Sequence, residues 1–176
     1  RHNLVADAGI GVLTPQFYGR AMYPDATSSW GVQANLPSWV PGFDSMLQAA
    51  SVQPSMLVPL AFQSLALWKP DAHFASITAE LDATQVFFYS VMKGQFSPGP
   101  QEFAEWYFGM KAITAATAAL PNYRYFIEDG TFHTFLASDE RTYGVGGNGI
   151  PVAEWIREMI KPGNRTWENL EAPPPF

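Results

Sequence analysis

Short apolar runs alternate along the chain with stretches dense in Gly and Pro, and the hydrophobic period changes from one run to the next. "NLVADAGIG" (3–11) is apolar and ends in Asp and Gly, the pattern of a buried strand whose carboxyl end opens into a loop. From 12 to 46 the helix breakers Pro15, Pro24, Pro37 and Pro41 accompany Phe17, Tyr18, Tyr23, Trp30, Trp39 and Phe43. That mixture predicts short helices and irregular connections packed on aromatic side chains. "SMLQAASVQPSMLVPLAFQSLAL" (45–67) predicts two short helices separated by Pro54, with Pro59 a kink or boundary. "HFASITAELD" (73–82) reads as a strand ending at Asp82, whereas "ATQVFFYSVM" (83–92) fits either period.

The clearest helix is "SPGPQEFAEWYFGMKAITAATAALP" (97–121). Pro100 suits its first turn, Glu102 and Glu105 complement the N-terminal dipole, and Phe103, Trp106, Tyr107, Met110, Ile113 and Ala116 form one stripe. "NYRYFIED" (122–129) alternates as a strand and leads to a turn at Asp129 and Gly130. "GVGGNGIPVAEWIREMIKPG" (144–163) reads as a Gly-rich loop, a cap at Asn148 and a helix, and "EAPPPF" (171–176) as an extended, exposed tail. Strand, irregular helical insert, strand, helix, strand, helix is the alternation of an α/β fold, a mostly parallel sheet with helices on both faces. Residues 1–176 read as part of one domain, with 12–70 as an irregular helical insert or cap.

Composition narrows the function classes. At 176 residues and 47% hydrophobic content the chain can bury a real core, and its net charge of −6 with ten basic residues provides no footprint for phosphate backbones. Nucleic acid is therefore not an expected partner. Polar residues interrupt every hydrophobic run, so no membrane span is expected. The absence of Cys excludes a disulfide framework and thiolate chemistry. The opening "RHNLVADAGIG" has no Met and no leader-like pattern before what reads as a strand, so the expectation is a piece of something longer.

Three histidines are present, and His133 stands in "DGTFHT" (129–134), four residues past a predicted strand. Asp82 stands at the end of the preceding predicted strand. In a parallel sheet those two points lie side by side, and an imidazole held by a carboxylate is the general base of acyl transfer. Each residue has a plainer role, Asp82 as a helix cap or turn former and His133 as a satisfied aromatic-cluster residue. Their joint placement, Asp then His after consecutive strands, follows the α/β-hydrolase order. Asp7 competes for the acid role but lies a strand too early, and a supporting part suits it better. "GVGGNG" (144–149) lacks the Lys-Ser/Thr ending of a phosphate loop and reads as a plain connection, and "NRT" (164–166) fits a glycosylation sequon by chance-level pattern. His2, His73 and His133 lack metal-ligand spacing, so neither a metal nor a cofactor is expected.

"LVADAGIG" (4–11), "LDATQ" (81–85) and "DGTFHT" (129–134) together resemble the pectinacetylesterase and Notum-like serine carboxylesterases. The first segment is similar to that family's strand after the nucleophile helix, the second to its Asp-x-x-Gln segment, and the third to its His segment. The resemblance implies an α/β-hydrolase-like fold of which this chain holds only the C-terminal half. It further implies a deacetylase-like esterase acting on small ester groups, with Asp82 and His133 catalytic and Gln85 steadying the acid loop. Phe17, Tyr18 and Trp68 are then the expected acyl-pocket residues, and a secreted or periplasmic location is the expectation. No Gly-x-Ser-x-Gly occurs in the 176 residues, and "SSWG" (28–31) is its nearest imitation. The expected partner is therefore an N-terminal segment or companion chain carrying the nucleophilic Ser, alongside the ester substrate. The competing expectation is a catalytically inactive hydrolase-like module that binds a polysaccharide or protein.

Overall fold

A computed structural model of the chain describes residues 2–19, 35, 37–161, 163 and 167–176. Four strands, β1 (Asn3–Asp7), β2 (His73–Ala79), β3 (Tyr123–Glu128) and β4 (Leu170–Glu171), form one sheet in the order β1-β2-β3-β4. Every neighbouring pair is parallel, with Asp7 opposite Ile77 and Ala79 opposite Glu128, so the carboxyl ends of β1, β2 and β3 share one rim. Between them run α1 (Pro15–Phe17), α2 (Phe43–Val52), a 3-10 turn (Pro54–Met56), α3 (Leu57–Trp68), α4 (Ala83–Met92), α5 (Pro100–Thr117), α6 (Asp139–Tyr143) and α7 (Val152–Ile160).

Parallel crossovers place helices on both faces, which is why central β2 is buried at all seven positions. One face packs Phe74, Tyr123 and Ile127 against Phe62 of α3, Val86 of α4 and Trp106 and Met110 of α5. The other packs Ala75, Ile77 and Phe126 against Val152, Trp155 and Met159 of α7. The insert has its own core, in which Tyr18, Val40, Phe43, Met46, Leu47 and Leu57 cluster.

The α/β pattern matches the sequence expectation, α6 and β4 are additions to the expected order of elements, and four local expectations are corrected. The first run is not a buried strand: Leu4 of β1 is 48% exposed, because β1 pairs only with β2 among the described residues. The second strand ends at Ala79, three residues before Asp82, which instead begins α4. Asn148 does not cap α7, whose N-cap is Pro151; its side chain donates to the Ile127 carbonyl at 2.7 Å. The tail is exposed only in part: Pro173, Pro174 and Phe176 are exposed as expected, but Glu171 pairs with β3, Ala172 is buried and the Phe176 ring meets Tyr107 edge-on.

The ambiguous run 83–92 is helix α4, and Pro59 marks a boundary, as expected, falling in the first turn of α3 just after the 3-10 turn, where its missing N–H has no intrahelical acceptor. Tyr23, Pro24, Trp30, "SSWG" and "NRT" lie outside the described residues. Among the described residues no helix is long and apolar enough to cross a membrane.

Asn122, just before β3 and buried, ties this arrangement together. Its Nδ2 shares two hydrogens among the carbonyls of Ala66 (3.2 Å), Lys69 (3.0 Å) and Ala72 (2.9 Å), closing the end of α3 and the approach to β2. Asn122→Ala leaves buried carbonyls without this donor and is expected to lower the unfolding free energy by about 1–3 kcal/mol in a urea titration.

Candidate active site

The rim at the carboxyl ends of the strands is built by backbone pairing that continues past the sheet. Glu80 N donates to Glu128 O (2.8 Å), Leu81 N to Gly130 O (3.0 Å) and Ala83 N to Thr131 O (2.9 Å), so the loops after β2 and β3 run together. Gly130 takes φ 116, a left-handed value that L side chains rarely adopt, and so turns the second loop back. These contacts hold Asp82 and His133 beside each other.

Asp82 is 0% exposed and serves as the N-cap of α4. Its Oδ1 accepts from the backbone of Thr84 (3.0 Å) and Gln85 (2.9 Å), the orphan donors of a helix first turn. Gln85 Nε2 donates to Asp82 Oδ2 and to Thr78 Oγ1, both at 3.0 Å, which pins the carboxylate plane to the end of β2. A buried carboxylate without such donors costs several kcal/mol in lost hydration. Here N–H groups and the helix dipole stand where water would be.

His133 Nδ1 lies 2.9 Å from Asp82 Oδ2 and 3.1 Å from Oδ1. A carboxylate partner places the ring hydrogen on Nδ1, so in neutral imidazole Nε2 keeps its lone pair. The His133 side chain is 39% exposed against 0% for that of Asp82, so the carboxylate is sealed while the imidazole reaches the surface. The segment that follows is anchored separately. Asp7, at the end of β1, accepts from Phe135 N (2.9 and 3.1 Å) and Leu136 N (2.9 Å), so it holds the His133 loop and does not contact the imidazole through these bonds.

The structure does not bring the three expected pocket aromatics to this rim. Trp68 ends α3 on the approach to β2 and lines a cavity with His2, Leu4, His73 and Phe74, at the amino ends of the strands. Seven residues of β2 separate that end from the other, roughly 23 Å of extended chain. Tyr18 is 2% exposed inside the insert's own cluster, with its hydroxyl on the Leu47 carbonyl, so it packs and does not line the site. Phe17 lies in α1, capped by Thr14, whose hydroxyl reaches the Met92 carbonyl at the end of α4 remote from Asp82. Aromatic density marked the insert core, because large rings bury there whether or not a ligand is nearby.

A cavity of about 270 Å³ lies behind the His133 loop, lined by Phe126, Glu128, Phe132, Phe135, Arg141 and Val152 among others, but by neither Asp82 nor His133. Arg141 was not anticipated. Its Nη1 donates to the carbonyls of His133 (2.9 Å) and Thr134 (3.1 Å), contacts made by backbone geometry that no spacing of residue types announces. Comparison with protein-family models, curated proteins and solved structures finds no match to this chain.

The same rim carries a strained electrostatic neighbour. Glu80 is 2% exposed, its Oε1 has no hydrogen-bond partner among the described residues, and its pKa is pushed up from 4.5 to about 7. Burial is the largest cause, the carboxylates of Asp129, Glu171 and Glu128 add to it, and Lys111 opposes it. Between pH 4.5 and about 7 the folded chain therefore retains a proton that the unfolded chain releases, so this group's contribution to stability falls as pH rises through that window. Glu80→Gln is expected to raise the unfolding free energy at pH 8 by about 1–3 kcal/mol and to change it little at pH 4, measured by denaturant titration at both pH values.

Proposed function

We propose that this chain supplies the base, His133, and the orienting acid, Asp82, of a Ser–His–Asp carboxylesterase that removes small ester groups, with the nucleophilic Ser on an N-terminal segment or companion chain. One observation carries the reading: a solvent-reaching imidazole whose Nδ1 rests on a buried, fully bonded carboxylate, at the carboxyl rim of a parallel sheet. Open parallel sheets hold their sites at that rim. The pectinacetylesterase-like resemblance of the segments carrying Asp7, Asp82 and His133 agrees with it, and an α/β-hydrolase architecture is the finer fold assignment that goes with this function.

The chemistry follows from which nitrogen is free. His133 Nε2 takes the proton from the Ser hydroxyl as Oγ forms its bond to the ester carbonyl carbon, and Asp82 stabilises the imidazolium through Nδ1. Collapse of the tetrahedral species breaks the bond to the alcohol, which receives the proton from Nε2. Water then enters by the same route, with Nε2 as base, and releases the acid from the acyl-enzyme. Two features of the fold suit a contributed nucleophile. Strand β1 offers an edge not paired among the described residues, and a groove of about 310 Å³ lined by Leu4, Phe43, Leu57, Ala61, Phe62 and Leu65 adjoins it. A further parallel strand on β1 places its own carboxyl end, where a nucleophile turn belongs, beside Asp7 and the His133 loop.

Hydrolysis of p-nitrophenyl acetate tests the division of labour. The chain alone is expected to be inactive and the chain joined by the proposed N-terminal segment or companion chain active, with His133→Ala lowering kcat by about 10⁴-fold or more and circular dichroism unchanged. Turnover by the isolated chain, or full activity of the His133→Ala protein, contradicts the assignment.

A further inference from the structure

The segment after His133 holds a conformation that needs an external reason. Thr134 takes φ 61, in the left-handed region that β-branched residues avoid at a cost of order 1–3 kcal/mol. The peptide unit that follows is gripped at both ends by opposite charges. Its carbonyl, Thr134 O, accepts from Arg141 Nη1 at 3.1 Å, and its amide, Phe135 N, donates to Asp7 at 2.9 Å. The grip extends one residue to either side, since Arg141 also donates to His133 O (2.9 Å) and Asp7 also accepts from Leu136 N (2.9 Å). The Arg141 guanidinium stands 5.0 Å from the ring of Phe132, so the residue before His133 is held as well. The anchors come from different elements, Asp7 from β1 and Arg141 from α6.

We propose that Asp7 and Arg141 act as a paired charge clamp of positioning residues, which hold the 132–136 segment in its left-handed turn so that the His133 ring stays on Asp82. The reason is geometric. Oppositely charged groups at the two ends of one peptide unit fix its orientation, and through the Thr134 torsions they fix the direction in which the His133 side chain leaves the backbone. Without Arg141, Thr134 O turns to water, His133 O keeps only the Thr134 hydroxyl, which donates to it at 2.7 Å, and the orientation of the 134–135 peptide rests on Asp7 alone, so Thr134 relaxes toward negative φ. The imidazole then samples positions away from the Asp82 carboxylate. Neither clamp residue needs to touch substrate, so the expected signature is a loss in kcat with KM retained. This deepens the esterase reading and rests on it for its kinetic arm alone.

The direct test is proton NMR of the His133 Nδ1–H, whose resonance lies far downfield when bonded to a carboxylate, combined with ester hydrolysis by the chain joined by the proposed N-terminal segment or companion chain. Arg141→Ala is expected to remove or broaden that resonance while leaving circular dichroism intact, and to lower kcat by about 10- to 100-fold at unchanged KM. Arg141→Lys is expected to restore part of both signals, because one ammonium has enough hydrogens for two carbonyls. Asp7→Asn is the second arm, and combined with Arg141→Ala it should cost less than the sum of the single changes, as expected for two parts of one device. A retained resonance in Arg141→Ala, with kcat within about twofold of the parent, overturns the clamp. Loss of the resonance in Arg141→Ala, in a parent protein that hydrolyses no ester, supports the clamp and refutes the esterase reading instead.

Discussion

A carboxylate removed from water keeps its charge at reasonable cost only if donors replace the lost hydration, and those donors must come from elements that hold still. Asp82 meets that condition with the first turn of α4, the Gln85 side chain and the His133 ring, and it is fully buried while doing so. The arrangement binds three parts of the fold at one point: the end of β2 through Thr78 and Gln85, the start of α4 through its cap, and the loop after β3 through His133. Loss of the carboxylate would release all three. Local stability and the proposed chemistry therefore draw on the same few hydrogen bonds.

The division of one carboxylate between two tasks also explains a tension in the sequence. Asp82 reads there either as a helix cap or as the acid of a catalytic pair, and the structure has it as a cap while its second oxygen faces the imidazole. An ionised carboxylate offers about four acceptor sites, so Oδ1 can serve the helix while Oδ2 serves His133. The plainer role supports the sharper one, because the cap is what orients the second oxygen. Gln85 was legible for a simpler reason: it stands one turn beyond Asp82, where a side chain on the same helix face can reach back to the carboxylate.

The parallel α/β pattern was legible because each crossover announces itself by a change of period and by Pro or Gly at its ends. The aromatic residues were not. Phe17, Tyr18 and Trp68 read as a pocket, yet Trp68 belongs to the opposite rim and Tyr18 to the core of the insert. A helix that precedes a parallel strand ends near that strand's start, so Trp68 had to fall a full strand length from Asp82. Topology decides such placements, and composition does not report it. The Thr134 turn and its Arg141 contact were hidden for another reason: they depend on backbone torsions and carbonyl directions, which residue types eight positions apart do not encode.

The central claim is that His133, steadied by Asp82, activates a serine that this chain does not contribute. Mass spectrometry of the protein together with the N-terminal segment or companion chain proposed to carry the serine, after treatment with a fluorophosphonate that esterifies activated serines, tests it most directly. One modified serine outside residues 1–176 is expected, with labelling lost in His133→Ala. Modification of a serine within these residues, or labelling that persists without His133, would contradict it.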